Sequence, residues 1–122
     1  MANILIVDDD DAIRDLIKEV LAVQGHTFSM AASGAEALAL VAKTRFDLVL
    51  LDRNMPKMSG LDVLKTLRAN PVTAKLKVLI CTAAEMLAEV DEAFSAGATD
   101  YIVKPLDFAK LTAKVARHTQ PG

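Results

Sequence analysis

Short, branched apolar runs separated by helix-length segments recur along this chain, and four of them end on a polar residue. Ile4-Leu5-Ile6-Val7 runs into Asp8, Leu48-Val49-Leu50-Leu51 into Asp52, Val78-Leu79-Ile80-Cys81 into Thr82, and Tyr101-Ile102-Val103 into Lys104. Runs of this kind read as strands of a parallel sheet buried on both faces. Parallel strands all point the same way, so their last residues gather at one edge. Carboxylates, a hydroxyl and an ammonium therefore converge there. In open sheets of this type that edge binds ligands, at the point where strand order reverses.

Apolar residues at helical spacing fill the gaps. Ile13, Leu16, Ile17, Val20 and Leu21 form one stripe, with Gly25 as its stop. His26 to Ala31 alternates polar and apolar, the pattern of a strand exposed on one face and so at a sheet edge. Ser33 and Glu36 have capping-box spacing ahead of a second helix, reaching to about Ala42. Leu61, Leu64 and Leu67 stripe a third, ended by Asn70-Pro71; Leu87, Val90 and Phe94 stripe a fourth, stopped by Gly97. Phe108, Leu111 and Val115 stripe a fifth, capped by Asp107. Strict alternation of five strands and five helices, with right-handed crossovers, predicts a doubly wound α/β sandwich with helices on both faces. Only Thr119 to Gly122 reads as a tail.

The chain of 122 residues, 52% hydrophobic and 25% charged, is one domain able to bury its own core. The single cysteine, Cys81, lies inside an apolar run and reads as a reduced, buried filler in a cytoplasmic protein. No apolar stretch is long enough to span a bilayer, and the N-terminus enters a strand without a signal-peptide pattern. The net charge is −2, without a Lys or Arg cluster, which disfavours direct nucleic-acid binding.

Asp8, Asp9, Asp10 and Asp11 follow the first strand, and carboxylates this close repel unless a cation is present or some are protonated. Asp10 and Asp11 are read as helix caps or solvated charges, Asp8 and Asp9 as ligands because they sit nearest the strand end. Mg2+ takes oxygen ligands, typically one or two carboxylates, which Asp9 and Asp52 can supply. An Asp in the position of Asp52 can act as a nucleophile and form an aspartyl phosphate. Thr82 can donate to such a phosphoryl group and Lys104 can pair with it. Each has an ordinary alternative: Thr82 has capping-box spacing to Glu85, and a lone Lys is usually solvated.

Over essentially its whole length the sequence resembles the receiver domains of two-component response regulators, in layout the stand-alone, chemotaxis-regulator (CheY-like) type. The acidic pair matches Asp8-Asp9 in ILIVDD, the phosphoacceptor Asp52 in LLDRNMP, the switch hydroxyl Thr82 in ICTA, and the Lys-Pro pair Lys104-Pro105 in YIVKP. The resemblance implies a flavodoxin-like (βα)5 fold with a five-stranded parallel sheet in the order 2-1-3-4-5. It implies that Asp9, the Asp52 carboxylate and the Asn54 backbone carbonyl bind Mg2+, with Asp8 helping through water, and that the Lys104-Pro105 bond is cis. A histidine kinase or phosphotransfer protein would present a phosphohistidine to Asp52, with neither His26 nor His118 taking part. Thr82 would then move toward the phosphoryl group and Tyr101, exposed when inactive, would turn inward. Together they would reshape the surface of the fourth helix, fifth strand and fifth helix for a downstream protein. Without the family, Tyr101 reads as an ordinary edge-strand aromatic.

Two positions are less typical. Arg53 puts a permanent cation directly after the acceptor, either to attract an anionic donor or partner acid or to shield the acidic run, and shielding or solvation is the favoured reading. Ala84 has no side chain to block or orient attacking water, which leaves the lifetime of the phosphorylated state to Asn54 and to partners. A phosphatase of the haloacid dehalogenase type is the rival from another class, but Asn54 stands where that mechanism requires a second Asp, and there is no cap segment. A flavin-binding module lacks its phosphate cradle here and a Trp to stack on the ring. Residues 1–122 are thus expected to form a single receiver domain with no output domain, a monomer or a weak dimer on activation, working by protein–protein binding without nucleic acid or membrane. The alternative is a receiver excised from a longer regulator or hybrid kinase, which the Gln120-Pro121-Gly122 tail keeps open.

Overall fold

A computed structural model of the chain describes residues 2–83 and 87–120. The elements alternate as β1 (Asn3–Val7), α1 (Asp11–Ala22), β2 (Thr27–Ala31), α2 (Gly34–Lys43), β3 (Leu48–Asp52), α3 (Gly60–Ala69), β4 (Lys77–Ala83), α4 (Leu87–Ser95), β5 (Asp100–Lys104) and α5 (Phe108–Thr119). All strand pairings are parallel and the order is β2-β1-β3-β4-β5, the flavodoxin-like order expected. Chain order reverses at β1, which has β2 on one side and β3 on the other. The crevice at the carboxyl ends of β1 and β3 is thus the switch point of the sheet.

Alternation along each strand divides the core into two layers. Leu5, Val7, Val49, Leu51, Val78 and Ile80 point into a cluster with Ala37 of α2, Leu64 and Leu67 of α3 and Ala93 of α4. Ile4, Ile6, Leu48, Leu50, Leu79 and Cys81 point the other way, against Ile17 and Leu21 of α1 and Leu111 and Val115 of α5. Every residue of β3 is buried, as expected of a central strand covered on both faces. Complete burial of one such Leu or Ile is worth about 1.5–3 kcal/mol, so the sheet centre is a stiff platform for what its ends carry. β2 lies at the edge, in keeping with its alternating sequence.

The caps fall largely where the side-chain chemistry puts them. The Asp10 side chain accepts from the backbone N–H of Ala12 and Ile13, Ser33 from Glu36 and Asp107 from Lys110. Gly25 and Gly97 take positive φ (81° and 105°) at the ends of α1 and α4. A reciprocal capping box between Ser59 and Asp62 opens α3, an element the sequence reading started only from its leucines. Two aromatic positions depart from the predicted stripes. Phe94 and Phe108 are 45% and 43% exposed, while Ala93 and Leu111 supply the buried contacts of α4 and α5. Helical spacing identifies a set of apolar residues, and the packing of each helix on the sheet selects which of them turn inward.

Gly60 joins α3 to the end of β3. Its N–H donates to the Arg53 carbonyl at 2.8 Å, and a Cβ at this position would stand 2.3 Å from the Asp52 carbonyl oxygen and 2.8 Å from the Arg53 Cα. Those obstacles are backbone and cannot rotate away. Gly60→Ala is therefore expected to lose about 1–3 kcal/mol of stability through overpacking, read from the urea midpoint. An unchanged midpoint would mean that α3 does not press on the end of β3.

Candidate functional site

The carboxyl ends of β1, β3 and β5 bring Asp8, Asp9, Asp52 and Lys104 together. One carboxylate oxygen from each of Asp8, Asp9 and Asp52 lies within 4.8 Å of the others. Asp8 and Asp52 are buried, at 3% and 5% exposure, whereas Asp9 is open to solvent. Lys104 reaches across from β5, its Nζ standing 3.1 Å from Asp8 Oδ2 and 3.1 Å from Asp52 Oδ1. The Lys104-Pro105 bond is cis, as the resemblance implied.

Backbone donors fix the two buried acids. Asp8 Oδ1 accepts from the Asp10 N–H at 2.9 Å, and Asp52 Oδ1 from the Asn54 N–H at 3.3 Å. The Arg14 guanidinium of α1 donates to the Asp8 carbonyl at 2.5 Å and pairs with Asp11. Asp10 and Asp11 thus serve α1 and its first turn, and Asp8 and Asp9 face the crevice.

One ammonium pairs with Asp8 and Asp52 while the Asp9 carboxylate stands close to both acids, so negative charge is left over in the crevice. Burial pushes the Asp52 carboxyl above the usual carboxylate range, the Asp8 charge adds to this, and Lys104 only partly opposes it. Burial alone would pull the Lys104 ammonium down, but the Asp52 and Asp8 carboxylates outweigh it and leave Lys104 above an ordinary lysine. An oxygen-only donor set with surplus negative charge fits a hard divalent cation such as Mg2+, which needs no nitrogen or sulfur ligand.

Of the other predicted residues, Asn54 and Thr82 follow or end strands at this edge, whereas Tyr101 lies further back in β5. Asn54 is exposed in the loop after β3. Thr82 is buried at the end of β4, and its hydroxyl donates to Glu89 Oε2 of α4. The ordinary alternative, a capping box between Thr82 and Glu85, lies outside the described residues, as does Ala84. Tyr101 is half-buried in β5, edge-on to Phe94 with ring centroids 6.0 Å apart, and Lys114 Nζ sits 3.9 Å from its ring centroid. Arg53 is neither solvated nor turned to the acidic run, as sequence reasoning favoured. Its side chain pairs with Glu89 and Glu92 of α4. Sequence reasoning also missed Glu89 and Gly60: a glutamate seven residues past Thr82 matches no motif, and Ser59-Gly60 reads only as a turn.

Cys81 is buried with its thiol pushed up to about 12 by burial, consistent with an inert filler. His118 pairs with Asp100 at 2.9 Å, and His26 Nδ1 accepts from the Ala2 N–H at 3.1 Å. Both lie at the amino end of the sheet, away from the crevice. A concavity of about 880 Å³ also opens there, lined by Phe46, Asp47, Lys77 and His118 among others, and it contains none of the converging acids. No helix among the described residues is long and apolar enough to cross a membrane.

Residues 4–116 match the family model of the response regulator receiver domain. The chain belongs to the response regulator receiver domain family. Members of this family serve phosphorylation-based two-component signalling. Among curated relatives, this receiver is 37% identical over 115 residues to the DNA-binding dual master transcriptional regulator RpaA of a Synechocystis strain, covering 94% of this chain and 48% of that protein. It is 38% identical over 122 residues to the response regulator MprA of a Mycobacterium strain, covering 98% of this chain and 52% of that protein. The receiver thus spans about half the length of the curated relatives it matches. In three dimensions it resembles the chemotaxis response regulator CheY4 of Vibrio cholerae, with a TM-score of 0.90, 34% identity and coverage of 97% of this chain and 98% of that one.

The raised Asp52 carboxyl predicts a stability cost. A carboxyl raised on folding stabilises the protein below the ordinary carboxylate range and loses that contribution as pH rises through its folded value. In metal-free buffer Asp52→Asn is therefore expected to melt at a higher temperature than the wild type at neutral pH, with the difference closing toward about pH 4. Equal melting temperatures at neutral pH would contradict the surplus-charge account.

Proposed function

We propose that Asp52 is the phosphoacceptor of a Mg2+-dependent two-component switch. The observation that carries this reading is the placement of Lys104 against both Asp8 and Asp52, in an oxygen-lined crevice at the switch point of the sheet. A histidine kinase or histidine phosphotransfer protein presents a phosphohistidine; an Asp52 carboxylate oxygen attacks phosphorus in line, the nitrogen–phosphorus bond breaks and the imidazole retains the electron pair, which a proton from solvent then takes up. Asp9, Asp52 and the Asn54 carbonyl, with Asp8 assisting, would hold the Mg2+, which would supply positive charge to offset that of the phosphoryl oxygens. Lys104 already stands beside Asp52 and pairs with one of those oxygens without reorganising. Asp8 holds Lys104 in place from its other side.

Thr82 and Tyr101 carry the change outward. The Thr82 hydroxyl donates to the phosphoryl group, and the Tyr101 ring, lying between Phe94 of α4 and Lys114 of α5, alters the α4-β5-α5 face that binds the downstream protein. The receiver chemistry is the same for two kinds of output. One is a separate target protein, in keeping with the likeness to a chemotaxis regulator. The other is a further domain, which the half-length coverage of RpaA and MprA favours.

Intact mass after incubation with acetyl phosphate and Mg2+ tests the reading. A single phosphoryl adduct is expected on the wild type, and its loss on omitting Mg2+ and in Asp52→Asn. An adduct that persists in Asp52→Asn, or none on a wild type that binds Mg2+, would overturn it.

A further inference from the structure

The residue after the acceptor is tied to the helix of the signalling face. Arg53 leaves β3 with its backbone N–H bonded to the Cys81 carbonyl of β4 at 3.0 Å, and its side chain runs to α4. There Nε stands 3.2 Å from Glu89 Oε2, and Nη2 pairs with Glu92 Oε1, three residues further along the same helix. The oxygen that takes Arg53 Nε also accepts the Thr82 hydroxyl proton. One carboxylate oxygen of α4 therefore holds both the cation beside the acceptor and the hydroxyl at the end of β4. This is not a rim contact: the Arg53 and Glu89 side chains are each only 15% exposed and Thr82 is buried. Arg53 Nη1 is buried without a hydrogen-bond acceptor among the described residues, so the ion pairs keep the guanidinium in place although one of its donors is unmet.

A hydroxyl has one proton to donate. While Thr82 gives it to Glu89, it cannot give it to a phosphoryl group on Asp52. A phosphoryl group adds roughly −1.5 to −2 charge and competes with Glu89 for the Thr82 hydroxyl. The two anions cannot both be served. We propose that Glu89 is a positioning residue that latches α4 to the acceptor loop through Arg53 and Thr82, and that it opposes capture of Thr82 by the phosphoryl group. Phosphorylation then frees α4 by displacing one anion with another, and by linkage an unlatched α4 tightens the phosphorylated state. The inference rests on Asp52 being the phosphoacceptor, and its test separates the two claims.

Two measurements on the full chain test it. The first is amide hydrogen exchange over α4 in protein free of metal and phosphate. Glu89→Ala and Thr82→Val are each expected to lower α4 protection relative to wild type, and unchanged protection in both would overturn the latch. The second is calorimetric titration with beryllofluoride and Mg2+ as a phosphoryl mimic. Glu89→Ala is expected to bind about tenfold more tightly than wild type, the size of one hydrogen bond to a charged group. Adding Glu89→Ala to Thr82→Val is expected to bring no such gain, because the competed hydroxyl is already gone. A gain of equal size with and without the Thr82 hydroxyl, or equal affinity of wild type and Glu89→Ala, would overturn the competition while leaving Asp52 as acceptor. Failure of the wild type to bind the mimic at all would overturn the phosphoacceptor reading, and the competition with it.

Discussion

The structure turns on an imbalance of charge: three carboxylates and a single ammonium at the switch point of a parallel sheet. Asp8 and Asp52 are buried and Lys104 lies 3.1 Å from each, so among the described residues it is the Lys104 ammonium that pairs with these acids. An isolated buried carboxylate would be intolerable and a fully neutralised cluster would have no use for a metal. Between those extremes, Lys104 makes the crevice stable enough to fold and leaves it short of positive charge. In the proposed switch, the residue that offsets Asp52 in the resting site also meets a phosphoryl oxygen.

That arrangement depends on a rigid support. β3 is buried along its whole length, with Leu48 and Leu50 turned to one helical layer and Val49 and Leu51 to the other, so Asp52 projects from the stiffest strand of the sheet. Gly60 lets α3 start against the last turn of backbone around Asp52 and Arg53. On the far side, Thr82 and Arg53 both lead to α4. Asp52 is thus fixed by the core, and its neighbours Arg53 and Thr82 are connected to the surface by polar contacts, the division that the proposed switch requires: packed cores resist small changes, whereas a shared carboxylate can be exchanged for another anion.

Much of this was legible in the sequence, for a physical reason. Strands buried on both faces appear as continuous apolar runs, and parallel strands end together, so Asp8, Asp52, Thr82 and Lys104 could be placed at one edge without any long-range information. Caps such as Asp10, Ser33 and Asp107 were legible because their hydrogen bonds are local. What escaped was what only tertiary packing decides. Phe94 and Phe108 belong to apolar stripes at helical spacing, yet the tilt of each helix on the sheet turns them outward. Arg53 directly follows Asp52 in sequence, but its side chain leaves toward Glu89 and Glu92 of α4. Glu89 gains its meaning from the crossing of α4 over the end of β4, which no local pattern encodes, and Gly60 from a backbone approach visible only once α3 meets β3.

The most direct test is a crystal structure of the chain grown in the presence of Mg2+. The account predicts one ion in the crevice, ligated by the carboxylates of Asp9 and Asp52, with Lys104 still within hydrogen-bonding reach of Asp52. A crevice that holds no ion at saturating Mg2+, or an ion bound away from Asp9 and Asp52, would contradict it.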